Sequence, residues 1–200
     1  YIKLLIEYFG KRIEYDPTNI DLLLPDKYKR LTYQSEAAIE GYEKLMKYNG
    51  FFLADVVGLG KSIVASIIAK KFVFENGYHS KILIVYPPAL EDNWKTTIKD
   101  FHIDNNTYFV STGSLHKVLD GTNRNYPNPN EYDLIVIDEA HKFRNDTSNM
   151  YEKLQIITKT DRRIPGSNGD TRKKVMLLSA TPLNNHPADI ENQIYLCLNN

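Results

Sequence analysis

Several things are scarce in this sequence, and each shortage removes a class of function. Cys197 is the only cysteine among 200 residues. That excludes an intrachain disulfide framework and fits a reducing, cytoplasmic setting. No run of 18 or more apolar residues occurs, and the amino end has no charged-then-apolar leader pattern, so neither a membrane span nor secretion is indicated. The five histidines are not spaced as metal ligands, among themselves or with Cys197, which speaks against zinc. Net charge is missing too: 25 basic residues against 25 acidic ones leave a formal zero, far from the basic excess of many DNA-binding domains. A balanced charge still permits nucleic-acid contact, because a cleft can track phosphates with a few amides, hydroxyls and helix ends.

Apolar material is plentiful. It makes up 42% of the chain, with 14 Tyr and 8 Phe, enough for one globular domain with a sizeable core. The most informative stretch is 51–62, FFLADVVGLGKS, a short apolar strand running into a glycine turn that ends in Lys-Ser. Such a turn, opening a helix, aims backbone N–H groups at a phosphate chain; the lysine reaches the outer phosphates and the serine hydroxyl can hold Mg²⁺. Gly58, Leu59, Gly60, Lys61 and Ser62 are therefore the candidate nucleotide-binding residues. The full phosphate-loop pattern asks for glycine where Asp55 stands, so context matters. Residues 62–76 supply it, with Ile63, Val64, Ile67 and Ile68 on one helical stripe and Asn76-Gly77 as a stop.

A second feature lies downstream. Residues 132–137, YDLIVI, read as a buried parallel strand that delivers Asp138-Glu139-Ala140-His141 at its carboxyl end. Ligands of open α/β sheets sit outside the carboxyl ends of the strands, so both carboxylates fall near the glycine loop. Asp138 is assigned to Mg²⁺ together with Ser62, and Glu139 to the attacking water. The plainer alternative is that both acids cap the segment that follows.

GLGKS at 58–62 followed by DEAHKFRN at 138–145 resembles the first motor lobe of superfamily 2 helicases, specifically the Snf-type DNA translocases. Other motifs fall in the family's order between residues 31 and 198. Tyr33-Gln34 stands where an adenine-reading glutamine is expected. Residues 82–90 with Asn93-Trp94 are similar to motif Ia, 109–115 to the segment around Ib, and 177–185 to motif III. The resemblance implies an α/β, RecA-like P-loop lobe: a parallel sheet of about five or more strands with helices on both faces. It implies ATP and Mg²⁺ as cofactors and ATP hydrolysis as the reaction. DNA, in its double-stranded form, is the implied partner, together with a second RecA-like lobe in the same full-length chain. By the same resemblance Gln34 reads adenine, His141 links to Ser179 or Thr181 and couples nucleotide state to DNA grip, and Pro88, Thr112 and Ser114 are candidates for nucleic-acid contact. Ser114 has the alternative of capping a short helix after Gly113. Departures from the Snf pattern are Val56-Val57, Ser62 and Ser179-Ala180-Thr181-Pro182, which point to a bacterial or phage-related translocase rather than a eukaryotic nucleosome remodeller.

Periodicity predicts helices over 34–48, 62–76, 90–101, 113–119, 149–160 and 187–198, and strands over 51–54, 81–86, 108–111, 134–138 and 175–179. Residues 1–30 are expected as an amino-terminal extension and 31–200 as the lobe, a fragment of a longer protein whose second lobe is absent. Because the resemblance places the arginine finger on that second lobe, the isolated piece is expected to hydrolyse ATP barely. Trp94 is expected to pack into the core rather than stack on a base. Arg162, Arg163, Arg172, Lys173 and Lys174 flank a Pro-Gly turn and are expected mainly as a solvated loop. A non-motor nucleotide switch or scaffold and an RNA helicase lobe remain as alternatives; retention of both Lys61 and Glu139 speaks against the switch.

Overall fold

The structure, a computed structural model, describes residues 20–54, 60–143, 149–162, 171–179 and 195–196. Five short runs rich in branched and aromatic residues form one sheet: Gly50–Ala54 (β1), Ile82–Tyr86 (β2), Thr107–Ser111 (β3), Leu134–Ile137 (β4) and Lys174–Ser179 (β5). Every pairing is parallel, in the order β1-β5-β4-β2-β3. The inner strands β2, β4 and β5 are buried along their whole length, as a parallel sheet covered on both faces requires.

Alternation of side chains divides the interior in two. Ile82, Ile84, Leu134, Val136, Met176 and Leu178 face one core, which also takes in residues of helices Thr32–Tyr48 (α1), Lys61–Glu75 (α2) and Glu91–Asp100 (α3). Leu83, Val85, Ile135, Ile137, Val175 and Leu177 face the other. There the one-turn helix His116–Leu119 (α4) and Asn149–Lys159 (α5) pack. Ile20 and Leu23 are buried in the first core, so residues of the expected amino-terminal extension pack on the lobe.

Element boundaries agree with the periodicity to within a residue or two, and the differences have local causes. The helix expected over 90–101 is preceded by a 3-10 turn, Pro88–Leu90, set by the fixed φ of Pro88 at its first position. The helix expected over 113–119 divides into a 3-10 turn, Thr112–Ser114, and α4, with Leu115 rather than Ser114 at the cap position. Of the helix expected over 187–198, only 195–196 fall within the described residues. α2 departs most from expectation. It is buried around most of its circumference, Val64 to Ala69 and Lys71 to Val73, rather than along one stripe. Its outer side is covered by α1, which comes close because residue 41 is glycine. A Cβ there would lie 2.8 Å from Phe51 Cζ and 2.9 Å from Ile68 Cδ1. Buried Lys71 is held by Glu75 at 2.8 Å and lies 4.9 Å from the Tyr42 ring centroid.

The amino ends of the strands correct the expectation of a solvated basic loop. Arg162 pairs with Asp133 at 3.0 Å, and Asp133 also accepts the Lys81 N–H at 2.9 Å. Lys174 reaches the Asn49 side chain, and Lys173, 2% exposed, donates to the Ile157 carbonyl at 2.5 Å. Three of the five cations thus fasten the sheet edge opposite to the glycine loop; Arg172 is exposed, and Arg163 lies outside the described residues.

Two predictions follow from buried polar groups. The Tyr132 hydroxyl is buried with no hydrogen-bond partner among the described residues, while its ring meets Tyr108 edge-on at 5.7 Å. Tyr132→Phe keeps the ring contact and removes the orphan, so it should stabilise the fold by roughly 1 kcal/mol, read as a raised urea midpoint at unchanged slope. Burial pushes the Lys173 ammonium down from 10.5 to about 8. Between those values the unfolded chain holds a proton that the folded chain has released, so this lysine makes stability rise with pH across that window. Stability measured from pH 7 to 10 should therefore climb in the wild type relative to Lys173→Met.

Candidate nucleotide site

Most of the expected site residues that fall within the described ones lie toward the carboxyl ends of the strands. α2 opens at Lys61 directly after Gly60, whose φ of 85° is left-handed. A side chain at residue 60 would be strained by that angle, and its Cβ would stand 2.5 Å from Gln34 Nε2. Glycine therefore lets the buried amide of Gln34, in the first turn of α1, sit against the loop. Among the described residues no side chain caps the amino end of α2, and the positive end of a helix is suited to an anion. A cleft of about 390 Å³ lies beside it, with Tyr28, Gly60, Ser62, Ile63, Asn93 and Thr97 among its walls. A larger cleft of about 650 Å³, bordered by Pro25, Lys99 and His102, includes none of the loop residues.

Asp138 follows β4 directly, and its N–H donates to the Val85 carbonyl at 2.8 Å, continuing the sheet ladder. Its side chain is almost fully buried. Oδ2 accepts the Trp94 indole N–H at 2.8 Å, and Oδ1 accepts the Glu139 N–H at 2.8 Å. Burial raises the Asp138 pKa above the usual carboxylate range, against the pull of these two bonds and of the Lys61 charge. A buried acid of this kind is suited to a cation, whose charge offsets the lost solvation.

Glu139 has a left-handed φ of 52°, strained by roughly 1 kcal/mol or more for a non-glycine residue. This conformation turns the chain sharply after the strand. The 3-10 turn Ala140–Phe143 follows, anchored by buried Ala140 and Phe143. Glu139 Oε2 lies 2.9 Å from His141 Nδ1, and the same nitrogen is 3.4 Å from Ser179 Oγ at the end of β5. Among the described residues no three His, Cys, Asp or Glu side chains converge to hold a metal alone.

Two groups therefore face each other at this edge, Gln34 with Gly60 and Asp138-Glu139 with His141 and Ser179; the Lys61 charge acts on Asp138 between them, and Ser62 lies on the adjoining cleft wall. Gly58, Leu59 and Thr181 lie outside the described residues. Pro88, Thr112 and Ser114 sit past the ends of β2 and β3 on the same edge, Pro88 exposed and the other two partly so. Two features escaped sequence reasoning. Trp94 packs in the core as expected, yet its N–H goes to Asp138; the signal available was that a buried indole must find an acceptor. The cleft wall formed by Tyr28 and Thr97 carries no local signature.

Comparison with known proteins bears on the family and the fold. The family described as DEAD/DEAH box helicase matches residues 89–190. An uncharacterized ATP-dependent helicase of Bacillus subtilis (strain 168), YqhH, is 29% identical over 194 residues, covering 92% of this chain and 32% of the relative. Nucleoside triphosphatase I of Choristoneura biennis entomopoxvirus is 28% identical over 205 residues, covering 94% and 31%. The chain thus spans about a third of the length of these curated relatives. The Sulfolobus solfataricus SWI2/SNF2 ATPase core, solved in complex with dsDNA, shares the fold with a TM-score of 0.62 at 19% identity, over 86% of this chain and 36% of that one.

The contact between Gly60 and Gln34 yields a test. Gly60→Ala should weaken nucleotide binding by calorimetry. Because its damage is partly transmitted through the displaced Gln34 amide, Gly60→Ala and Gln34→Ala should be non-additive by about 1 kcal/mol in a double-mutant cycle. Full additivity would separate the two residues.

Proposed function

The chain belongs to the DEAD/DEAH box helicase family, and on that premise we propose that it is the ATP-binding lobe of a double-stranded DNA translocase, hydrolysing ATP with Mg²⁺ when a second lobe closes on it. The observation that carries this reading is the gathering at one sheet edge of two groups, Gly60 packed against Gln34 and Asp138-Glu139 beside His141 and Ser179, with the Lys61 charge acting on Asp138 between them.

In this reading the Gln34 amide takes the adenine edge, giving one hydrogen bond and accepting another. The backbone of the glycine loop and the amino end of α2 receive the phosphates, and Lys61 adds a point charge to the outer ones. Ser62 and Asp138 hold the metal. Bound Mg²⁺ supplies neutralisation of the charge that develops on the transferring phosphoryl group. Glu139 orients the attacking water and accepts its proton. Its carboxylate is engaged by His141 Nδ1, and that nitrogen also lies within reach of Ser179. A single ring nitrogen cannot serve both partners equally, so His141 can exchange one for the other and pass the state of Glu139 to β5 and the segment after it. That is the coupling role, with Thr181 as its further partner.

DNA contact falls to Pro88, Thr112 and Ser114, which are solvent-accessible on this edge and two strands or more from β1. The duplex in complex with the Sulfolobus ATPase core supports a double-stranded partner. The arginine that completes phosphoryl transfer belongs to the second lobe in this reading, so the 200-residue lobe alone binds nucleotide weakly and turns it over barely.

The test is steady-state ATPase activity of the full-length protein. Duplex DNA should stimulate it, and rising salt should weaken the stimulation because phosphate contacts dominate the grip. Glu139→Gln should lower turnover at least about a hundredfold with ATP binding retained. Stimulation by single-stranded RNA alone would replace this reading with an RNA helicase lobe, and binding without any turnover would replace it with a switch.

A further inference from the structure

Trp94 is the only tryptophan in the sequence. It is fully buried, on α3. Its ring fills the first core between sheet and helices, which by itself is ordinary packing. The destination of its N–H is not ordinary. Across 44 residues of sequence it donates to Asp138 Oδ2 at 2.8 Å, both groups buried. The second carboxylate oxygen, Oδ1, accepts the Glu139 N–H at 2.8 Å. With one donor on each oxygen, rotation of the carboxylate about its own axis breaks both bonds. Each oxygen retains a further lone pair for a ligand.

We propose that Trp94 is a positioning residue for Asp138: its indole N–H fixes the carboxylate in the orientation that accepts Mg²⁺ with the nucleotide. The proposal rests on the reading of Asp138 as the metal-holding acid. It adds a physical link, because α3 directly follows the Pro88–Leu90 turn. A shift of the segment carrying Pro88 reaches the carboxylate through one rigid ring. No other described side chain donates a hydrogen bond to the Asp138 carboxylate. A hydrogen bond between a supporting residue and a metal-holding carboxylate is the kind of contact whose loss lowers metal affinity about 10- to 100-fold.

The experiment is calorimetric binding of ADP to the full-length protein with and without Mg²⁺. Four variants are compared with wild type: Trp94→Phe, Trp94 replaced by 3-benzothienylalanine, Ile98→Val and Asp138→Ala. The benzothienyl ring keeps the shape of tryptophan but has sulfur where the N–H stands, and Ile98→Val opens a small cavity on the same helix. Metal-free ADP affinity should stay at the wild-type level in both Trp94 variants. The gain in affinity on adding Mg²⁺ should fall about tenfold or more in both. It should be unchanged in Ile98→Val and absent in Asp138→Ala. A full Mg²⁺ gain in the benzothienyl variant would overturn the proposal and leave Trp94 as packing alone. A full gain in Asp138→Ala would overturn instead the assignment of the metal to Asp138, and the role of Trp94 with it.

Discussion

Parallel pairing of β1, β5 and β4 is the constraint from which the site derives. Ala54 lies in register with Ser179, and Leu177 with Ile137. The glycine loop, the acidic pair and the Ser179 hydroxyl therefore leave the sheet at one edge and nearly one level. Parallel strands cannot be joined by tight turns, so each crosses back through a helix or a longer connection. Those crossovers bring α2 and α3 to one face and the short α4 and α5 to the other. Burial of both faces then fixes the register, since a slip of one residue would exchange the two cores.

Asp138 shows the tension that such an edge creates. Its carboxylate is buried, and burial opposes its charge. Two hydrogen bonds and the nearby Lys61 charge offset part of that penalty. A divalent cation would offset more. Next to it, Glu139 keeps a left-handed backbone and a more accessible side chain. The two acids have adjacent sequence positions and opposite environments, which is how neighbouring carboxylates come to have different roles.

The opposite edge shows what some of the chain's basic residues do. Lys173 and Lys174 are buried there, and Arg162 and Lys81 are partly covered against Asp133 and Glu131. These cations hold strand ends together and offer little to a polyanion. In the proposed function, contact with a phosphate backbone falls to a few exposed groups past β2 and β3, for which overall composition is a poor guide.

The sequence determined the existence and nearly the extent of all five strands, because short β-rich runs between turn signals admit few other structures. It also made the glycine loop and the acidic pair legible as the candidate phosphate and metal groups of the proposed function, because both are contiguous motifs. Only the tertiary structure decided the strand order, in which β5 stands between β1 and β4, because that order reflects competition among whole faces for burial. It decided that α2 is covered nearly all round, which depends on the absence of a side chain at Gly41 in another helix. It placed Lys173 and Lys174 in the interior, where charge alone predicts solvent. The Trp94 bond to Asp138 and the His141 bridge between Glu139 and Ser179 belong to the same class. Each joins residues that are separate along the chain or turned together by a strained backbone, and hydrogen-bond geometry of that kind exists only after the sheet has aligned its strands.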